Sequence, residues 1–89
     1  SIFFNHGQCC NAGSRLYVHD SIYDRVVEGV AEVAGQIRLG HGLDEGTEMG
    51  PLVSSVQYDR VRGFLQAGRD EGAEFMFRQD QAPEGGYFV

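Results

Sequence analysis

The only two cysteines of this chain, Cys9 and Cys10, are neighbours. Adjacent cysteines close no loop, so they cannot form the disulfide framework that often holds a small core together. The chain has 89 residues, room for one domain at most. Standing alone, such a domain buries only about 60–65% of its unfolded surface and is marginal without a disulfide or a metal. The ends sharpen the problem. The chain opens on Ile2-Phe3-Phe4 and closes on Tyr87-Phe88-Val89. Apolar residues at both ends point to a piece of a larger fold, whose core they join.

Charge excludes several classes. Seven cations, all of them Arg, face 13 acids for a formal net charge of -6. A nucleic-acid partner needs a basic face for the phosphates, so none is expected. Apolar runs never exceed three residues, so no membrane span is expected either. The start has neither a basic n-region nor a long apolar h-region, so no secretory signal is read and a cytoplasmic location is expected. The aromatic and β-branched content is too high for a disordered tail.

Periodicity predicts two helices. Ile22, Val26, Val30, Val33 and Ile37 recur at helical spacing and form one apolar stripe. Ser21 with Asp24 resembles a weak capping box at its start, and Gly40 is expected to end the helix at C′. Residues 40–50 form a glycine-punctuated loop. In the second helix, Ser54 with Gln57 fits a capping box and Val53 with Tyr58 a hydrophobic staple. Val61, Phe64, Leu65 and Gly68 continue its inner face, and Gly72 ends it. Three short strands are expected: Leu16-Tyr17-Val18, the alternating run Ala73-Glu74-Phe75-Met76-Phe77-Arg78, and Tyr87-Phe88-Val89. The order loop, strand, helix, helix, strand, strand favours an α/β class.

Chemistry concentrates in Gly7-Gln8-Cys9-Cys10. Structural cysteines sit among apolar neighbours, whereas these sit among polar and small ones in a loop before a strand. A reactive thiol needs partial exposure and nearby donors, and backbone N–H groups around Cys10 suit a developing oxyanion. Two small residues packed in a loop is the commoner reading of such a pair. His6 is four residues before Cys10, but a neutral surface histidine is commoner than a Cys–His pair. Asp44, Glu45 and Glu48 lack calcium-loop spacing and read as a solvated turn, so no metal site is assigned.

The run Phe4-Asn5-His6-Gly7-Gln8-Cys9-Cys10-Asn11-Ala12-Gly13-Ser14-Arg15 closely resembles the cysteine signature of aldehyde dehydrogenases. That signature reads aromatic, x, Asn or similar, x, Gly, Gln or Glu, x, Cys, and continues into Ala-Gly-Ser-Arg. The likeness extends through Val18 to Tyr23, Leu39-Gly40, Thr47-Glu48-Met49-Gly50-Pro51-Leu52-Val53, Gln57, Glu71-Gly72-Ala73 and the late Gly-Tyr-Phe, covering essentially the whole chain. Within the family it is most similar to the aromatic-aldehyde (phenylacetaldehyde) and betaine-aldehyde branches.

The resemblance implies a role for Cys10, two residues after Gln8, as nucleophile. Its thiolate would attack an aldehyde, form a thiohemiacetal and then, with NAD or NADP as hydride acceptor, a thioester that water hydrolyses to the acid. The Cys10 N–H would be one oxyanion donor. The second, a family Asn side chain, lies upstream, and neither Asn5 nor Asn11 holds its position. Gln57 and Arg60 match positions that approach the cofactor's adenosine ribose. Arg60 stands where the family usually has Lys, and a planar fork replaces a point donor. A cap explains Gln57 as well, and a solvated helix cation explains Arg60. The family's general base and cofactor-binding domain lie upstream and a second ribose-binding glutamate downstream. Residues 1–89 are thus expected to be a partial catalytic domain, inactive in isolation. Its partners would be the rest of that domain, a small-molecule aldehyde and, at full length, further copies in a homo-oligomer. The alternative is a non-catalytic remnant or small interaction module that keeps the fold fragment.

Overall fold

The computed structural model describes residues 2–76 and 82–89. Two α-helices dominate: α1, Tyr23–Gln36, and α2, Ser55–Asp70. Short 3₁₀ turns occupy Phe4–Gly7 and Asp20–Ile22. The expected strand at residues 16–18 is absent, and Tyr17 is 90% exposed. Residues 73–76 and 87–89 form no ladder either, while Phe77 and Arg78 lie outside the described residues. A strand exists only through a partner, and no described segment pairs along these residues. Among the described residues the one β pairing is a parallel bridge between Leu39 and Met49.

The start and end of α1 differ from expectation. Ser21 does not cap it; His19 Nδ1 accepts the Ser21 N–H at 3.2 Å and holds the preceding 3₁₀ turn. The helix stops at Gln36 rather than reaching Gly40, because the backbone of Arg38 is already engaged. Its carbonyl accepts the N–H groups of Glu48 (2.9 Å) and Met49 (3.2 Å). Its N–H donates to the Glu48 carboxylate at 3.0 Å. A side-chain ion pair between the same two residues, Nε to Oε2 at 3.4 Å, is exposed and adds little.

Gly40 has a different task from the expected cap. It is buried, has no positive φ, and donates its N–H to the Met49 carbonyl at 3.1 Å. A Cβ there would collide with the Thr47 hydroxyl. Gly40→Ala is therefore expected to cost about 1–3 kcal/mol through overpacking, read as a lower denaturation midpoint of the full-length protein. Adding Thr47→Ala should recover most of that loss, a coupling that a double-mutant cycle measures.

Helix α2 follows expectation more closely. Ser54 Oγ accepts the Gln57 N–H at 3.2 Å, the N-cap bond. At the other end Gly72 has φ +87. Its N–H reaches the Arg69 carbonyl at 3.0 Å and the Ala73 N–H reaches Gly68 at 2.8 Å, the paired bonds of a Schellman ending. Val61, Leu65 and Gly68 are half-buried on one face. Phe64 is not with them. Three residues on from Val61, it lies about 60° round the helix, is 68% exposed, and rests under Arg60. The expected staple does not close: Val53 is 79% exposed, and Tyr58 packs near Tyr87 instead, ring centroids 6.0 Å apart.

Only Leu52 and Phe88 are buried apolar side chains among the described residues, and neither helix contributes one. The stripe of α1 is open, with Val30 46% and Val33 59% exposed. An open groove of about 810 Å³ is lined by residues that include Ala34, Ile37, Leu39, Tyr58, Leu65 and Phe88. The Cα radius of gyration, 14.1 Å, exceeds the roughly 12 Å of a compact domain of this length. No helix among the described residues is long and apolar enough to cross a membrane.

Candidate active site

The cysteines sit on a β-turn. The Ala12 N–H donates to the Cys9 carbonyl at 3.1 Å, which places Cys10 at the first corner and Asn11 at the second. The two thiols differ sharply. Cys9 is half-buried and its Sγ donates to Asn11 Oδ1 at 2.9 Å. Cys10 is exposed and free. Among the described residues the Cys10 N–H has no hydrogen-bond acceptor. One position thus offers an exposed thiol and an uncommitted backbone donor.

The approach to this turn is conformationally unusual. Asn5 (φ 49, ψ 39), His6 (φ 61, ψ 27) and Gly7 (φ 75) are all left-handed. Asn and His are among the side chains that enter this region more readily, but each still costs on the order of 1 kcal/mol or more. Local bonds hold the bend: Gln8 N–H to the Asn5 carbonyl at 2.9 Å, and Asn5 Nδ2 to the Gln8 carbonyl at 3.1 Å. Left-handed residues of this kind concentrate at functional loops. The sequence offers Asn5 only as an oxyanion donor out of position; the Asn-His-Gly run is the available signal of the bend.

His6 does not pair with Cys10. Its Nδ1 is buried without a partner among the described residues, and its Nε2 lies 3.1 Å from where a Cβ on Gly50 would be. Gln57 stands in the first turn of α2, half-buried. Its N–H takes the Ser54 cap, but its carboxamide makes no hydrogen bond among the described residues, so the box is only half formed. That leaves a half-buried amide free for a ligand. Arg60 is exposed, its guanidinium 6.0 Å from the Phe64 ring centroid. In the acidic loop Glu48 is engaged by Arg38. Among the described residues no three His, Cys, Asp or Glu side chains gather to hold a metal ion.

The model of the aldehyde dehydrogenase family matches residues 1–89. The chain belongs to the aldehyde dehydrogenase family. Among its relatives, phenylacetaldehyde dehydrogenase of Pseudomonas fluorescens is 44% identical over 90 residues, 100% of this chain and 18% of that protein. An aldehyde dehydrogenase of Davidiella tassiana is 47% identical over 88 residues, again 18% of its length. The NAD+ complex of an aldehyde dehydrogenase from Bacillus cereus superposes with a TM-score of 0.93 at 45% identity, covering 99% of this chain and 18% of that one. A double mutant of Staphylococcus aureus betaine aldehyde dehydrogenase, solved with NAD+ and a BME-modified cysteine, gives 0.81 at 34% identity, over 89% and 17%. The chain therefore spans under a fifth of the aldehyde dehydrogenases it matches, and its fold is part of theirs.

Proposed function

We propose that residues 1–89 are part of the catalytic domain of an NAD- or NADP-dependent aldehyde dehydrogenase, with Cys10 as its nucleophile. One observation carries the reading: the exposed Cys10 thiol stands on a turn corner whose own N–H has no acceptor among the described residues, while Cys9 is tied to Asn11. The Cys10 sulfur adds to the aldehyde carbon, and the carbonyl oxygen becomes an oxyanion that the Cys10 N–H would receive. The nicotinamide cofactor, when bound, accepts the hydride from that carbon. Cys10 is then left as a thioester, and water breaks its C–S bond, releasing the carboxylic acid and restoring the thiol.

Gln57, half-buried and with a carboxamide that makes no hydrogen bond among the described residues, would take a cofactor hydroxyl. Arg60, exposed beside the Phe64 ring, is the second candidate for the cofactor. The cofactor-binding domain, the general base and the second oxyanion donor belong to the rest of the full-length protein, which also supplies the homo-oligomeric assembly. Aromatic and betaine aldehydes are the favoured substrate classes, as the names of the relatives suggest. A cytoplasmic setting keeps both thiols reduced.

Thiol labelling of the full-length enzyme tests the assignment. Iodoacetamide is expected to alkylate Cys10 about tenfold or more faster than Cys9, in keeping with exposure and freedom from the Asn11 bond. Equal, slow labelling of both would favour the non-catalytic remnant.

A further inference from the structure

We propose that Gln8 is a positioning residue, whose side-chain carbonyl fixes the Cys10 turn against the start of α2 and so sets the thiol's place relative to Gln57. The proposal rests on the reading of Cys10 as nucleophile. Gln8 Oε1 accepts the Val53 N–H at 3.2 Å, across 45 residues of chain. Among the described residues, no other hydrogen bond leaves residues 2–18 for the rest of the molecule.

Both ends of that link are anchored. On one side, the N–H and C=O of Gln8 are both held by Asn5, so the side chain is the only arm left to reach outward. On the other, Leu52 is buried and its N–H donates to the Tyr87 carbonyl at 2.8 Å. Next to Val53 stands Ser54, whose hydroxyl holds the Gln57 N–H. The chain of contacts Gln8, Val53, Ser54, Gln57 thus joins the nucleophile's loop to the candidate cofactor residue. The same two segments also lie close at His6, whose Nε2 is 3.1 Å from where a Cβ on Gly50 would stand. Misplacement by about 1 Å can cost up to a hundredfold in rate, so a lone bond at this junction has leverage that its own strength does not express.

The test uses the full-length enzyme with phenylacetaldehyde and NAD+ as probes, with kcat expressed per titrated Cys10 so that misfolded protein is not counted. Gln8→Met keeps the length and loses the acceptor. Gln8→Asn keeps the amide but is one methylene short. Both are expected to lower kcat at least tenfold, with the KM for aldehyde changed less than kcat. Gln8→Glu keeps an acceptor oxygen at the same reach and is expected to stay within about threefold of wild type. A purely structural role would instead lower the melting midpoint while leaving kcat per titrated thiol intact, and that result overturns the proposal. So does a Gln8→Glu enzyme as slow as Gln8→Met. Should Cys10→Ala retain activity, the nucleophile reading fails first and this proposal with it. An inactive Cys10→Ala beside an unimpaired Gln8→Met sinks the Gln8 proposal alone.

Discussion

Cys10→Ala in the full-length enzyme is expected to lower NADH formation from aldehyde and NAD+ by on the order of 10³-fold or more, while Cys9→Ala stays within about threefold. The asymmetry that the family motif implies, with Cys10 two residues after Gln8, has its physical counterpart in the turn. Cys10 occupies the exposed corner. Cys9 faces Asn11 and its proton is committed to that carboxamide. No alternative nucleophile stands ready on the same turn, so the loss should not be made up by its neighbour. Steady-state rates of the two variants, with total thiol counted to confirm folding, decide the matter. A Cys10→Ala enzyme that still turns over, or a Cys9→Ala enzyme that does not, would reverse the assignment.

The second large effect concerns the 89 residues expressed alone. They are expected to oxidise no aldehyde and to show no cooperative thermal transition by circular dichroism. An autonomous domain needs one contiguous core. Here Leu52 and Phe88 are the buried apolar residues among those described, and the stripe of α1 remains open along Val30 and Val33. Amphipathic helices in proteins draw most of their stability from a packed face rather than from propensity, and α1 is rich in stiff valines. A sharp, reversible melt of the isolated chain, or turnover by it that Cys10→Ala abolishes, would refute this expectation.

The helices were legible in the sequence because their evidence is local. The stripe from Ile22 to Val33, the Ser54 cap and the Gly72 ending each depend on residues within a turn or two. The strands were not, because pairing is not a property of three residues such as Leu16-Tyr17-Val18. Gly40 shows a subtler limit. A glycine after an apolar stripe reads as a helix end, and only the position of Thr47 reveals that the missing Cβ makes room for a neighbouring loop. At the site, the resemblance singled out Cys10 and Gln57 from their motifs, residue by residue. It could not indicate the left-handed bend at Asn5 and His6, nor the bond from Gln8 to Val53, which spans 45 residues.

Residues 38–49 close on themselves at a neck made by Arg38, Gly40, Glu48 and Met49. Beyond the neck, Leu43 is fully exposed. The ring is fastened at its base and tied once more at His41, whose Nε2 lies 3.2 Å from the Glu84 carbonyl, so the stretch around Leu43 is its exposed tip. Lengthening such a ring is inexpensive, about 0.6 kcal/mol for each doubling of loop length. Chain inserted between Leu43 and Asp44 would therefore leave the neck bonds in register and Met49 where it is. The tip is a natural place to graft a fluorophore-bearing tag, reporting on the enzyme without disturbing the cysteine turn.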